Sequence, residues 1–407
     1  MKLTLLIINQ IISCIIFFYS FYYIISGVIG LLLRKKVKKF KKAKKNNHFA
    51  IIIPARNEEV VIGNLIDSLK KQNYPEDKYD IYVAINNTTD DTKKVSKKHG
   101  AKVLDCELPV KAKADVLVYA FDKLKSKKEI DAYVIFDADN VVHPDFLMEM
   151  NKVLENGYRV AQGFRDAKNP SDSWISGSYT IFYYIQNVFF NKSRMALNGI
   201  SSINGTGFMV KKEIINQDGF NIYSLTEDME FAGQCALKDE IVYFADKAIT
   251  YDEYPNDFKT SWKQRSRWSA GNIQCLKLYS AKLIKSFFKT GKIYYLDMGL
   301  NFTGVLMHVI VYLNIIIFRI YNLIQGYGLA TNDIISHIEV YIIQVGLGII
   351  TVLMLRKDIK PLLKGIILFP FWIFTWLPIN CIYLFKKYEK WEEIKHTRNV
   401  SLDEIKL

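Results

Sequence analysis

Two aspartates separated by one small residue could hold a metal ion that binds a diphosphate. Asp137 and Asp139 flank Ala138 and follow the apolar residues 132–136. Carboxylate oxygens are the ligands that Mg²⁺ and Mn²⁺ prefer, so such a pair can hold a divalent cation against a diphosphate. An isolated D-x-D sequence is common by chance as a solvated turn. Its position directly after a strand favours a functional site.

Thr226, Glu227 and Asp228 form a second acidic group. A carboxylate at this place can act as the general base that removes a proton from an attacking hydroxyl. The structural alternative is a helix start, in which Thr226 caps residues 228–237 and the acidic residues stabilise the first turn. The two roles are compatible.

A third group, Gln264-Arg265-Ser266-Arg267-Trp268, combines cations with an indole. A guanidinium binds phosphate oxygens, and the flat face of an indole packs against a sugar ring. Taken alone, the group is also typical of a membrane-interface anchor. Its position after the two acidic groups makes it the most specific signal in the sequence.

Alternating strands and helices must position these groups. Apolar runs predict strands at 50–53, 80–85, 102–104 and 132–136, and helical spacing predicts helices at 60–69, 92–99 and 112–124. This alternation indicates an α/β domain with a mostly parallel sheet, which binds ligands at the carboxyl ends of its strands.

The charge and hydropathy pattern indicates a membrane rather than a nucleic-acid partner. The net charge is +14, but many of the basic residues lie at 34–45, directly after the apolar residues 3–33. Such a run is the positive-inside signal and a contact for anionic lipids. The apolar segment is longer than that of a cleaved signal peptide, so we expect a retained anchor in the plasma membrane, followed by a cytoplasmic domain. Five scattered cysteines without a CxxC pair argue against a disulfide framework or a zinc site.

Further apolar segments occur at 294–324, 334–355 and 362–385. A single crossing by the last one would leave the Lys-rich tail outside, and Pro370 and Pro378 interrupt it, so we expect a re-entrant or broken hairpin that returns the tail to the cytoplasm. Residues 262–293 mix Trp, Leu, Phe and Ile with regular Lys and Arg, which favours interfacial amphipathic helices over a surface helix of the soluble domain.

The expected domain organisation has six parts. They are a transmembrane helix (1–33), a basic cytoplasmic linker (34–48), a catalytic domain (49–260), interfacial helices (261–293), transmembrane or re-entrant segments (294–385) and a cytoplasmic tail (386–407).

In this order the three motifs resemble family 2 glycosyltransferases of the processive, membrane-integrated type, similar to cellulose, hyaluronan, chitin-oligomer and poly-N-acetylglucosamine synthases. The resemblance covers residues 49–277 by motif and the membrane segments by layout. It implies a GT-A fold, Mg²⁺ or Mn²⁺, inversion to a β-linkage and a UDP-sugar donor carrying glucose or N-acetylglucosamine, or two alternating sugars. A growing polysaccharide would be the acceptor and would cross the membrane.

The resemblance also implies roles for single residues. Asp228 matches the general base, and Asp137 and Asp139 match the metal ligands. The implied donor site consists of Pro54, Ala55, Asn57, Glu58, Asn86, Asp90, Lys113, Asp137, Gln264 and Arg267. The implied acceptor site consists of Gly205, Thr206, Glu227 and Trp268, and the implied gating segment contains Trp391, Thr397 and Arg398.

One residue departs from the family pattern. The second strand ends in Asn86, where the family has an aspartate that contacts uracil. An amide can still hydrogen-bond a base edge, and Asp90 offers a nearby carboxylate. The closest alternative function is a non-processive transferase that adds one sugar to a lipid-linked or short acceptor. An export channel with a degenerate transferase domain is disfavoured because Asp137, Asp139 and Asp228 are all present.

Overall fold

The computed structural model describes residues 2–33, 40, 41, 43–327, 331–386, 388, 396 and 398–405, with the backbone alone for 331–336. Its strands are β1 (Phe49–Ala55), β2 (Tyr79–Ile85), β3 (Lys102–Asp105), β4 (Ala132–Ile135), β5 (Val141–Val142), β6 (Val160–Ala167), β7 (Phe208–Lys211) and β8 (Val242–Asp252). Its helices are α1 (Lys2–Leu33), α2 (Ile62–Lys70), α3 (Thr92–Lys98), α4 (Lys113–Leu124), α5 (Phe146–Glu155), α6 (Trp174–Ile185), α7 (Ser193–Ala196), α8 (Lys212–Asp218), α9 (Glu227–Leu237), α10 (Phe258–Cys275), α11 (Ala281–Thr290), α12 (Ile293–Phe302), α13 (Gly304–Ile324), α14 (Thr331–Met354), α15 (Leu363–Phe374) and α16 (Trp376–Phe385).

The strands form one sheet in the order β3-β2-β1-β4-β7-β6-β8-β5. β3, β2, β1 and β4 run parallel, whereas β7 is antiparallel to both β4 and β6. Continuous apolar runs suit strands with both faces covered by helices, and β1 and β4 are buried along nearly their whole length. The predicted α/β architecture with its leading parallel strands is confirmed, and the remaining strands make the sheet mixed.

The N-terminal helix α1 packs against both α7 and α13. The side-chain amide of Asn9 donates to Oδ1 of Asn314 in α13 over 2.9 Å. Farther along, a Cβ at Gly30 would lie 2.4 Å from Cβ of Ser193, so only glycine permits this approach to α7. Polar pairs and small residues are the usual means by which apolar helices associate.

A buried ion pair joins α7 to α12 near the same place. Arg194 donates from Nε and Nη2 to the two carboxylate oxygens of Asp297 over 3.0 and 2.9 Å, and Tyr22 of α1 donates to Asp297 over 2.8 Å. Removing one partner of a buried bidentate pair leaves an uncompensated charge. The first helix is therefore tied into the body of the protein.

In the described part of the chain, four helices are long and apolar enough to cross a membrane, namely Lys2–Leu33, Gly304–Ile324, His337–Met354 and Lys360–Phe385. The predicted apolar segment 294–324 is divided at Thr303 into α12 and α13. α12 is half-buried and carries the ion-paired Asp297, so its apolar residues pack against the α/β domain.

The expectation of a hairpin at 362–385 is wrong in its geometry. α15 and α16 meet at Thr375, whose backbone remains right-handed helical, so the two helices follow one another as a broken helix. Pro378 lies in the first turn of α16, where its missing N–H is harmless. The segment lies along the domain. Gly365 of α15 touches Gly177 of α6, and Asn380 of α16 accepts from Ser269 of α10 over 2.6 Å.

The expected boundary at 260/261 falls inside α10, which begins at Phe258. α10 is not an interfacial helix. It packs between the α/β domain and α16, and none of its residues from Ser261 onwards is exposed. α11 does have one buried face and one exposed face, so the interfacial expectation now concerns α11 alone.

Residues 398–405 pack on the α/β domain. The backbone N–H of Arg398 donates to Glu253 over 3.2 Å, and Asp403 pairs with Lys71 at 2.7 Å. Leu402 is buried against Val141 and Tyr251. Residues 398–405 therefore lie on the same side of the protein as this domain.

Candidate active site

Four charged side chains converge where β4 ends. Lys113, the first residue of α4, places Nζ 2.6 Å from Oδ1 of Asp137 and 3.1 Å from Oε1 of Glu227. The same ammonium donates to the carbonyl of Gly205 over 2.6 Å. A Cβ at Gly205 would lie 3.5 Å from Oδ2 of Asp228 and 4.0 Å from Nζ of Lys113, so the lysine and the carboxylates surround this glycine. Residues that are more than a hundred positions apart in the sequence, such as Lys113 and Asp228, thus form one charged cluster.

Electrostatics in this cluster favour a base that titrates near neutrality. Burial and the neighbouring charge of Glu227 raise the pKa of Asp228 to about 7, although Lys113 acts in the opposite direction. Burial alone would lower the pKa of Lys113, but Asp137 and Glu227 raise it above its ordinary value. A carboxylate with a pKa near the working pH is suited to general-base catalysis.

The helix-start role of the second acidic group is present only in part. α9 begins at Glu227, but the hydroxyl of Thr226 makes no capping hydrogen bond and lies 3.8 Å from the sulfur of Cys275. Instead, Glu230 accepts from the backbone N–H groups of Tyr223 and Ser224. Asp228, the second residue of α9, lines the cavity.

Asp139 lies beside a second, deeper carboxylate that sequence reasoning missed. Oδ2 of Asp139 is 3.3 Å from the N–H of Glu253 and 3.4 Å from Nδ1 of His396. Nearby, Asp252 ends β8 and pairs with the buried Arg165 of β6. Burial raises the pKa of Asp252 to about 7 despite that arginine. The only sequence signal for Asp252 was its position as a carboxylate at the end of a strand, and nothing in the sequence linked it to Arg165.

The donor set fits a divalent cation of the Mg²⁺ or Mn²⁺ kind. The described residues contain no cluster of three His, Cys, Asp or Glu side chains with metal-binding geometry. However, Mg²⁺ commonly takes only one or two carboxylates and completes its shell with water and substrate phosphates. Asp137 supplies such oxygens, with its charge now balanced by the Lys113 ammonium, and Asp139 lies two residues away.

The predicted nucleotide-side residues divide into two groups. Pro54, Ala55, Glu58 and Asn86 line the cavity, whereas Asn57 and Asp90 do not. Asn57 accepts from the N–H of Thr89, and Asp90 accepts from the N–H groups of Glu59 and Thr92. Both residues therefore hold the loops after β1 and β2, and their predicted contact with the donor is not supported.

Asn86 lies at the cavity, but its amide is already engaged. Nδ2 donates to the carbonyls of Cys106 and Leu108 over 2.8 and 3.2 Å, and Oδ1 accepts from Arg56. The side chain therefore joins β2 to the loop after β3, and its amide oxygen is occupied by the guanidinium of Arg56, which also lines the cavity.

On the acceptor side, Gly205, Glu227 and Trp268 line the cavity, but Thr206 does not. Thr206 is fully buried, and its hydroxyl accepts from the backbone N–H of Asp137 over 3.0 Å and contacts Asn140. Thr206 therefore holds the turn that carries Asp137, and its predicted acceptor contact stays a prediction that the cavity lining does not favour.

The third motif faces the cavity along one side of α10. Gln264, Arg267 and Trp268 all line it. Arg265, on the opposite side, is fully buried and donates to the carbonyl of Trp372 and to the hydroxyl of Thr375. One arginine of the motif thus lines the cavity, and the other attaches α15 and its junction with α16 to α10.

The cavity that these residues line has a volume of about 550 Å³ and reaches the apolar helices α13, α15 and α16. Beyond Trp268 its wall continues through residues that the sequence analysis did not identify: Tyr183, Met298, Phe302, Val305, His308, Ile373, Trp376 and Asn380. The indoles of Trp268 and Trp376 are nearly parallel, with ring centroids 6.3 Å apart. These residues lie in apolar helices, where sequence patterns report burial and not function.

Of the predicted gating residues, Trp391 and Thr397 lie outside the described residues. Arg398 does not line the cavity and instead pairs with Asp172 at 3.0 Å. The tail approaches the cavity through His396.

Comparisons with known proteins agree with this geometry. Residues 46–271 match a family model described as glycosyltransferase like family 2. Curated relatives include a probable glycosyltransferase of Bacillus subtilis, 27% identical over 254 residues that cover 58% of this chain and 57% of the relative. A β-monoglucosyldiacylglycerol synthase of Nostoc sp. is 24% identical over 60% of this chain and 52% of the relative. A poly-β-1,6-N-acetyl-D-glucosamine synthase of Staphylococcus epidermidis is 23% identical over 55% of this chain and 54% of the relative. The chain thus spans little more than half the length of these relatives.

A solved structure shares the fold over nearly the whole chain. It is a mannosyltransferase from Pyrobaculum calidifontis in complex with GDP-mannose and Mn²⁺, with a TM-score of 0.59 and 15% identity, covering 92% of this chain and 99% of that one. The expected GT-A fold is therefore confirmed.

Proposed function

The chain belongs to glycosyltransferase family 2, and on that premise we propose that it is an inverting β-glycosyltransferase that extends a glycan from a UDP-sugar at the membrane. The observation that carries this proposal is the continuous cavity, which joins the carboxylates at the end of β4 to helices α13 and α16. We further propose that the α/β domain is cytoplasmic and that elongation is processive, with glucose or N-acetylglucosamine as the transferred sugar.

The donor is bound through its diphosphate. Lys113 and Arg267 supply cationic donors for the phosphate oxygens, and Asp137 with Asp139 would hold a divalent cation there. When bound, that cation neutralises charge on the departing diphosphate. Lys113 pairs with Asp137 and Glu227 in this structure, so its ammonium group already lies in the site. Donor binding would replace part of these ion pairs with contacts to the phosphate oxygens.

Asp228 performs the proton transfer. Its carboxylate removes the proton of the acceptor hydroxyl as that oxygen attacks the anomeric carbon from the face opposite the diphosphate. The new carbon–oxygen bond forms while the bond to the phosphate oxygen breaks, and the bonding electron pair leaves with UDP. Inversion follows from attack on the opposite face. Trp268 gives the accepting sugar a flat apolar surface.

A second candidate is transfer of one sugar to a membrane lipid. It is favoured by the apolar part of the wall, which includes Met298, Phe302, Val305 and Ile373. The name of the Nostoc relative describes such a reaction. In this case the cavity would admit the glycerol end of a diacylglycerol from the bilayer, and its free hydroxyl would accept the sugar.

Replacing Asp228 tests the proposed function. Asp228→Asn keeps the shape of the site and removes the base, so we expect turnover to fall by about 10²- to 10⁴-fold while UDP binding stays nearly unchanged. UDP release and product should be measured with Mn²⁺ and each UDP-sugar, singly and in pairs. Unimpaired turnover in this variant would refute the base assignment. Polymer and monoglycosyl lipid are separated by product size, which decides between the two candidates.

A further inference from the structure

A second, smaller pocket lies where two apolar helices end beside the α/β domain. It is lined by Leu31 near the end of α1, by Met354, the last residue of α14, and by the adjoining Leu355. Its volume is about 90 Å³, and within the described part of the chain it shares no lining residue with the active-site cavity. Both helices are long and apolar enough to cross a bilayer. A helix that does so ends among the lipid headgroups, so the pocket is placed to meet one.

A π-helical turn supplies part of the polar wall of this pocket. The residues between α6 and α7, Gln186–Lys192, are π-helical, and both Asn187 and Lys192 line the pocket. In an α-helix, with 3.6 residues per turn, two residues five positions apart point to different sides. The wider turn of a π-helix, with bonds between residues five apart, brings them to the same side. Such turns are rare and are frequent at functional sites.

Asn187 has a buried acceptor atom to which no group donates. The residue is 1% exposed, and its Nδ2 donates to the backbone carbonyl of Arg165 over 2.9 Å. Because a carbonyl can only accept, this end of the amide must be the nitrogen, and the other end is the oxygen. That Oδ1 is buried and lacks a hydrogen-bond partner among the described residues. A buried acceptor without a partner costs free energy, so such atoms are typically satisfied by a ligand or by water.

An ion pair provides both signs of charge in the same pocket. Lys192 pairs with Asp246 of β8, and their side chains are 41% and 40% exposed. Both residues line the pocket. A pair this exposed contributes little stability, so either partner is available to a ligand. Because the pair has no net charge, it complements a ligand that carries one positive and one negative group.

Two aromatic rings indicate where the positive group of such a ligand would lie. Phe164 of β6 and Phe244 of β8 line the pocket, with ring centroids 6.4 Å apart. Aromatic faces attract cations, and the two acceptors, Oδ1 of Asn187 and the carboxylate of Asp246, require N–H donors. The pocket holds the volume of about three water molecules, which is the size of an aminoethyl group. A trimethylammonium group has no N–H and would leave Oδ1 of Asn187 without a donor.

We infer that this pocket binds a phospholipid with an ethanolamine headgroup. The ammonium group donates to Asn187 and Asp246, the phosphate accepts from Lys192, and the acyl chains follow the ends of α1 and α14 into the bilayer. An anionic glycerol headgroup would bring a second negative charge beside Asp246, so it fits less well. The inference depends on α1 and α14 crossing the membrane and is independent of sugar transfer.

A series of lipids with the same acyl chains tests the pocket without requiring turnover. The full chain is purified in a polyoxyethylene detergent and titrated with dioleoyl phosphatidylethanolamine, its N-methyl and N,N-dimethyl derivatives, phosphatidylcholine and phosphatidylglycerol. Each added methyl group removes one N–H donor and leaves the phosphate and the chains unchanged. Glycerophosphoethanolamine, the headgroup without acyl chains, is the soluble probe. Native mass spectrometry reports the number of bound lipids and their affinities.

We expect affinity to fall as methyl groups are added, so that phosphatidylethanolamine binds about tenfold more tightly than phosphatidylcholine, as one or two hydrogen bonds to a charged group predict. Asn187→Leu and Asp246→Ala should each remove most of this preference. Asp218→Ala is the matched control, because this carboxylate pairs with Lys238 at a similar exposure but does not line the pocket. The control should keep the full preference.

The inference is overturned if phosphatidylcholine binds as tightly as phosphatidylethanolamine, or if phosphatidylglycerol binds more tightly than either. It is also overturned if glycerophosphoethanolamine binds as tightly as the lipid, since the occupant would then be a soluble headgroup, or if the folded variants keep the preference. Thermal melting shows whether each variant is folded. Asp246 is partly exposed, so its replacement decides the question even if Asn187→Leu does not fold.

Discussion

The pH dependence of turnover should shift in opposite directions when two neighbours of Asp228 are replaced. The pKa of this aspartate is raised from 3.8 to about 7, with burial as the largest cause and Glu227 as the next. As the proposed general base, Asp228 acts only when deprotonated, so kcat/KM should fall as the pH drops below about 7. The raised pKa corresponds to about 4 kcal/mol of disfavoured charge.

Glu227→Gln removes a negative charge from this site and leaves Lys113 with one fewer carboxylate to neutralise it. Both effects favour the charged form of Asp228, so its pKa should decrease by about one unit, or ~1.4 kcal/mol. At one pH unit below the wild-type value, the deprotonated fraction would then rise from about a tenth to about a half. Lys113→Met removes the positive charge instead and should move the acid limb above pH 7.

The assay is initial-rate UDP release with saturating Mn²⁺, from which kcat/KM is obtained across the range around neutrality. Lys113 is also proposed to bind the diphosphate, so the Lys113→Met variant will be slower, but the position of its acid limb is independent of that loss. Glu107→Gln, which replaces an exposed carboxylate that does not line the cavity, is the control and should leave the profile unchanged. Shifts in the same direction, or no shift in either variant, would refute the electrostatic account of Asp228.

Three other perturbations test separate features. Trp268→Ala should impair elongation more than hydrolysis of the donor, and equal product lengths and rates would exclude an acceptor role for this indole. Gly365→Ala should destabilise the protein by about 1–3 kcal/mol in thermal unfolding, because its Cβ would lie 2.6 Å from the backbone of Gly177. Gly346→Ala meets nothing within 4 Å and should be neutral or slightly stabilising. A C-terminal tag should resist labelling from outside intact cells, since residues 398–405 pack on the α/β domain; surface labelling would reverse the proposed orientation.

The sequence predicted those parts of the fold and site that depend on local patterns. β4 and Asp137 were predictable because an apolar run followed by polar residues marks the end of a buried strand. Asp228 was predictable for a similar reason, since acidic residues before an apolar helix mark its first turn.

Features that depend on distant partners were missed or misjudged. The ion pair of Arg165 and Asp252 joins two residues that are 87 positions apart, and no sequence spacing encodes it. Asn86 was expected to contact a base, but Arg56 and two backbone carbonyls occupy its amide. The sequence did not predict the break at Thr303, because apolar residues continue on both sides of it. Only the packing of α12 against the α/β domain distinguishes α12 from α13.

The ion pair between Arg194 and Asp297 has a consequence for how the protein is made. The two residues are 103 positions apart, and Tyr22, which completes the pair, is made long before either of them. While the ribosome is still short of residue 297, the guanidinium has no carboxylate to meet, and α1 has no α13 to hold Asn9. These contacts can therefore form only after α12 and α13 have left the ribosome. A nascent chain stalled near residue 290 should remain sensitive to protease around α7, whereas a chain long enough for α13 to have left the ribosome should become protected.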